Sequence, residues 1–282
     1  MVENAPKEQV LSGFFMAKVI TDTRHSIQNF FHQRIILLMI SMMVILALWG
    51  LISAISGLPA FILPSPALVW SRFWDVVWQG SLVFHAAITL GEVLAGLLIG
   101  ASLAAALGYL LARSPAIEQI VGPYVVASQA IPIVAIAPLL VLWFGPGIFS
   151  KVIICALIVF FPVLINTIVG LRSVPYSLYD LMRSLQANRW QTFRLLEVPA
   201  SLPVFLGGLR IGATLSVIGA VVGEFVGADR GMGFLINVAR GQYDTALVFV
   251  AVLSLIALAL LLYGGVIWLE AYLLAWQHPV QK

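Results

Sequence analysis

The chain has 282 residues, 61% of them apolar and 10% charged, with a formal net charge of +3. A soluble domain carries about 25% charged residues, so this composition excludes an ordinary soluble enzyme and specifies an all-α, polytopic membrane protein. The modest basic excess does not call for nucleic acid, because Lys and Arg collect in the cytoplasmic loops of membrane proteins. The single cysteine, Cys155, permits neither an internal disulfide nor a cysteine metal cluster.

Residues 1–34 carry Lys7, Lys18, Arg24 and Arg34. Phe14, Phe15, Val19 and Ile20 give this segment either an apolar face for the membrane surface or an unstructured tail. Six blocks follow, at about 35–56, 81–112, 124–144, 152–171, 204–227 and 246–269. Each has roughly the 20 residues that a bilayer crossing requires. The first is too long for the h-region of a signal peptide and is read as a retained span. The second carries His85 and Glu92. Glu92 falls about 16 Å into the span at 1.5 Å per residue. It shares a stripe with His85, Gly96 and Gly100, so it faces protein or a cavity. It is either a protonated group bonded to a neighbouring helix or part of a translocation pathway.

Pro132 and Pro138 interrupt the third span, with Gln129 just before them. They make a simple kink, or a gate that uses the freed carbonyls, with Gln129 a candidate substrate contact. Cys155, in the fourth span, reads as a small buried hydrophobe. The fifth span carries Gly208-x-x-x-Gly212 and Gly219-x-x-x-Gly223-x-x-x-Gly227, a ridge for close helix approach. Arg210 near one end of this span is expected to snorkel to the cytoplasm. Glu224 near the other end is a pathway residue or an interfacial carboxylate touching water.

Between spans four and five lies SLYDLMRSLQANRWQTFRLLEVPASLP, at 177–203. Ser177 with Asp180, and Asn188 with Gln191, have capping-box spacing. Pro199 is expected to stop the second helix. The segment therefore reads as two short helices joined by a turn at 186–188. Leu178, Leu181, Met182 and Leu185 share a face of the first, and Trp190, Phe193 and Leu196 form a stripe on the second. A pair this short is not stable alone in water. It is a loop resting on the span ends, or a docking element for another protein. Eleven of the 15 Lys and Arg residues fall on the side of this loop and the termini, which places both termini and the 172–203 loop in the cytoplasm.

The 177–203 stretch resembles the EAA loop of permease subunits of binding-protein-dependent ABC importers. Asp180 takes the Glu position, and Leu181 and Met182 the two Ala positions. Gln186 takes the Gly position, Leu196 the Ile, and Val198-Pro199 the Leu-Pro. The spacing fits, while the letters depart at Ala-Ala and at Gly. Without Gly, the turn needs Gln186 at positive φ, or a different turn. LPSPALVW at 63–70, APLLVLWFG at 137–145, FFPVLINT at 160–167 and GLRIGATLSVIGAVVGEFVGA at 208–228 resemble the branch carrying nitrate, taurine, sulfonates and thiamine precursors.

The resemblance implies a type I importer permease with six spans over 35–270, a coupling loop at 172–203 and a cytoplasmic tail at 271–282. It implies a homodimer in the inner membrane, bathed by lipid, with two cytoplasmic ATPases and an external substrate-binding protein. It further implies ATPase contacts at Asp180, Leu181, Met182, Leu185, Gln186, Ala187, Arg189, Trp190 and Pro199. A buried carboxylate at Glu92 repels an anion and suits a neutral or cationic heterocycle, and the run SQAIPIVAIAPLLVLWFG at 128–145 resembles permeases for riboflavin or the thiamine pyrimidine. The alternative is the same importer carrying nitrate, taurine or a sulfonate. A secondary transporter would favour an internal repeat, and none is visible. A membrane enzyme would need a catalytic cluster. No catalytic residue, metal or cofactor is expected in this chain, and GPGIFSKV at 145–152 lacks the second Gly and the Ser/Thr of a P-loop.

Overall fold

The computed structural model describes residues 36–37 and 39–277. The N-terminal segment 1–34 and the end of the tail, 278–282, lie outside the described residues. The chain divides into two compact units at residues 67 and 68. In the first, α1 (Met39–Ile55) is an apolar helix, and the Trp49 indole donates to the Pro64 carbonyl at 3.1 Å.

The second unit is entirely helical among the described residues. It comprises α2 (Pro66–Trp78) from Leu68 onward, α3 (Ser81–Arg113), α4 (Pro115–Gln129), α5 (Ile133–Phe144), α6 (Ile148–Arg172), α7 (Tyr176–Ser184), α8 (Arg189–Thr192), α9 (Val198–Gly227), α10 (Met232–Gly241) and α11 (Thr245–Leu273). Four helices are long and apolar enough to cross a membrane: α3, α6, the continuous helix Arg189–Gly227 and α11. The expected third span is a broken pair. α4 and α5 meet at 97°, where Pro132 has no N–H to continue the helix and holds an extended ψ of 118°.

The core is built on α6. Val159, Val163 and Leu164 pack with Ala101, Ala104 and Leu111 of α3. Ile154 packs with Ala137 and Leu140 of α5. Small residues on both neighbouring helices let backbones meet. A Cβ on Gly100 would stand 2.5 Å from the Ala156 carbonyl oxygen, and one on Gly208 would stand 2.9 Å from that of Pro162. The glycine ridge of the fifth span therefore faces α6, with Gly212 against Val159 and Gly219 against Cys155. At the hairpin end Arg210 does not snorkel freely. It pairs with Glu270 of α11 and lies over the Tyr263 ring at 5.5 Å.

Pro199 does not stop the second short helix. The chain runs unbroken from Arg189 to Gly227 through a π-helical turn, Phe193–Glu197. The Val198 N–H bonds the Phe193 carbonyl across this widened turn. The opened turn accommodates a residue that offers no N–H and whose ring crowds the preceding carbonyls.

Candidate functional site

The polar stretch between α6 and α9 folds as a helical hairpin. α7 starts behind Pro175, which sets the entry angle and supplies no side-chain cap. Asp180 therefore does not cap this helix as expected. Ser177 lies inside the first turn, and Asp180 instead accepts from Arg183 at 3.2 Å on the exposed side. The turn is a Schellman motif. The Ala187 N–H reaches the Met182 carbonyl, and the Gln186 N–H reaches that of Arg183, both at 2.9 Å. Gln186 takes the left-handed φ of 55° where glycine is usual. The second expected capping box is formed: Asn188 Oδ1 accepts from the Gln191 N–H, and Gln191 Oε1 from the Asn188 N–H, each at 2.8 Å.

The hairpin exposes apolar surface. Leu181, Leu185 and Trp190 are each more than half exposed. Arg189 stands exposed beside them, and Met182 and Ala187 are half-buried at the turn. Beneath the hairpin the Glu197 carboxylate is completely buried. It accepts from the Arg113 guanidinium and from the Tyr109 hydroxyl, the latter at 3.3 Å. Burial, and then the neighbouring Glu197 charge, raise the pKa of the Tyr179 hydroxyl on α7. A cavity of about 730 Å³ opens here, lined by Tyr109, Thr167, Trp190, Phe193, Leu202 and Phe205. Sequence reasoning missed Glu197. Its signal was a lone carboxylate in the apolar run 195–200, with Arg113 at the end of α3 counted only as a cytoplasmic-side charge.

A second polar cluster lies toward the other end of the helices. Glu92 of α3, Lys151 of α6 and Glu224 of α9 are each 1% exposed. Lys151 Nζ lies 3.6 Å from Glu92 Oε1, and the two carboxyl groups adjoin. Lys151 is a buried partner, and the burial of Glu224 argues against the interfacial one of its two readings. The Thr89 hydroxyl donates to Glu224 at 2.6 Å. The entry to α10 is held by the same helices. The N–H groups of Gly231, Met232 and Gly233 donate to His85 Nδ1, Thr89 Oγ1 and Glu224 Oε2. Gly231 has φ 105°, and a Cβ there would stand 2.1 Å from a Glu224 oxygen. Gln129 and Pro132 sit exposed at the α4–α5 break, outside this buried cluster. Above Lys151 a cavity of about 580 Å³ is bordered by Pro146, Gly227, Asp229 and Arg230.

Residues 96–273 match the family model described as the binding-protein-dependent transport system inner membrane component. The riboflavin transport system permease protein RibX of Chloroflexus aurantiacus is 48% identical over 84% of this chain and 89% of its own length. The formylaminopyrimidine transport permease protein ThiX of Halalkalibacterium halodurans is 38% identical over 83% of this chain and 93% of that protein. Among solved structures, the inward-facing MetNI methionine ABC transporter superposes with a TM-score of 0.57. It shares 17% identity and covers 70% of this chain and 97% of its own, a likeness of fold. A chain without strands among its described residues and with a hairpin between two of its long spans, matched over most of its length by these relatives, belongs to the binding-protein-dependent transport system inner membrane component family and is the membrane permease subunit of an ABC importer.

Proposed function

We infer that this permease forms the translocation path for a vitamin-type heterocycle, with riboflavin the first candidate and the thiamine pyrimidine the second. The observation that carries the substrate class is the 48% identity to a riboflavin permease along 84% of the chain. Glu92 is paired with Lys151 inside the protein, so its charge no longer selects against anions and does not bear on the choice. The permease works as a homodimer with two ATPases and an external binding protein. Its hairpin faces the cytoplasm, and both termini lie on that side. Residues 177–199 dock in the ATPase, with Leu181, Leu185 and Trp190 supplying apolar contact and Arg189 a charge at its edge. The exposure of these apolar side chains on a helix pair too short to stand alone supports that role. Glu92, Glu224, Gln129 and Pro132 belong to the helices that frame the path, and the Asp229–Arg230 cavity is its outer mouth.

The test is uptake into proteoliposomes carrying the permease with its cognate ATPase and binding protein. ATP-dependent accumulation of labelled riboflavin or formylaminopyrimidine is expected, well above that of taurine or nitrate. Robust taurine or nitrate uptake would move the substrate to the sulfonate and nitrate group and leave the importer class standing.

A further inference from the structure

The hairpin meets the end of α3 around the buried Glu197 carboxylate. Glu197 ends the π-helical turn and is fully enclosed. Its partners Arg113 and Tyr109 both stand at the hairpin end of α3. A second route from the exposed hairpin face reaches the same place. Trp190 stacks on Phe193 with ring centres 5.5 Å apart, and Phe193 meets the edge of Tyr109 at 5.3 Å. Arg113 closes the circuit over the Tyr109 ring at 5.6 Å. Stability alone does not explain a buried charge here, because a well-packed apolar replacement of such a pair is often as stable or more so. What an ion pair with a second donor adds is a fixed relative position of the groups that make it.

We propose, on the docking role given above to residues 177–199, that Glu197 is a positioning residue which, with Arg113 and Tyr109, locks the hairpin to the end of α3. α9 follows the hairpin because the helix is continuous. α3 is far from the hairpin in sequence, and Glu197 makes it move with the same body. At its other end α3 carries His85 and Thr89, which hold the entry to α10. Closure of the ATPases thereby reaches the opposite end of the permease along α3 as well as along α9, with Glu197 as the joint between hairpin and α3.

Glu197→Gln and Arg113→Gln, singly and together, test this in the complete complex with ATPase and binding protein in lipid nanodiscs and proteoliposomes. The ATPase is expected to co-purify undiminished. Substrate transported per ATP should fall about tenfold, within the usual range of coupling between sites. The double variant should be no worse than either single, because one shared contact is lost. Spin labels at Leu110 and Ser184, both exposed, should keep one distance through the ATP cycle in the otherwise wild-type complex and show a broadened distribution in Glu197→Gln. Full transport by Glu197→Gln, additive losses in the double variant, or an unsubstituted complex whose labels move apart on ATP binding each overturns the proposal. The last readout decides even if Glu197→Gln fails to assemble. Leu185→Asp separates this from the docking role. If it releases the ATPase while Glu197→Gln transports fully, only the role of Glu197 falls. If the ATPase stays bound to Leu185→Asp, the docking surface itself is removed, and with it the basis for the joint.

Discussion

Glu92, Lys151 and Glu224 share the space between α3, α6 and α9, and each is almost wholly buried. The balance is exposed to single substitutions. Lys151→Met would leave Glu92 and Glu224 together in an apolar interior. Removing one partner of a buried pair costs about 3–5 kcal/mol. Lys151→Met should therefore sharply lower the folded fraction surviving heating in detergent, read by size-exclusion profiles. Adding Glu92→Gln should recover much of that loss, since the remaining Glu224 keeps its bonds from Thr89 and Gly233. Equal heat resistance of Lys151→Met and wild type would show that the pair holds nothing in place. Sequence spacing put Glu92 and the glycines on one face of α3, where they are found. It did not place Lys151, because a lysine near the start of a helix can turn outward to water or inward to a partner. That choice depends on what another span offers, and no local pattern records it.

At the level of elements, the hairpin was the most legible part of the chain and also the part with the most instructive misses. Short-range chemistry was readable: Asn188 with Gln191 forms its box, and the turn accepts Gln186 at positive φ. Ser177 with Asp180 had the spacing but not the position, because the helix is capped at Pro175, two residues too early for Ser177 to be its cap. Pro199 was read by the usual rule for helix interiors, and the π-helical turn before it relieves the conflict. The exposed apolar face yields a direct prediction. Leu185→Asp or Ala187→Glu places a charge where docking would strip its water, a penalty of several kcal/mol. Each should reduce the ATPase that co-purifies, while membrane insertion is unchanged. Arg183→Ala should change neither, since its pairing with Asp180 is an exposed one worth roughly 0–1 kcal/mol. Retention of the ATPase and of full coupled transport by both charged variants would reduce the hairpin to a plain connection.

For the whole molecule, the fold class and the importer family followed from composition and from motifs spread along the chain. The run at 124–144 was long enough for one crossing, yet it bends by 97° between α4 and α5. The prolines announced a break, but no local pattern gave its angle, and of the pair only α5 buries residues against α6, at Ile154. Orientation is testable directly. In a Cys155→Ala background, Ser173→Cys should be shielded from an impermeant thiol reagent in intact cells, and Asp229→Cys should be labelled. The reverse pattern would invert the molecule and put the hairpin out of reach of any cytoplasmic ATPase. The Glu92–Lys151 pair also bears on how the protein is made. α3 leaves the ribosome well before α6, and a charged residue at the centre of a span costs about 2.5–3.5 kcal/mol to insert. The many leucines and alanines of α3 offset that cost, but during synthesis its carboxylate waits without the ammonium that will neutralise it. Membrane insertion of this chain is thus not a series of independent events, because α3 reaches its final energy only when α6 arrives beside it.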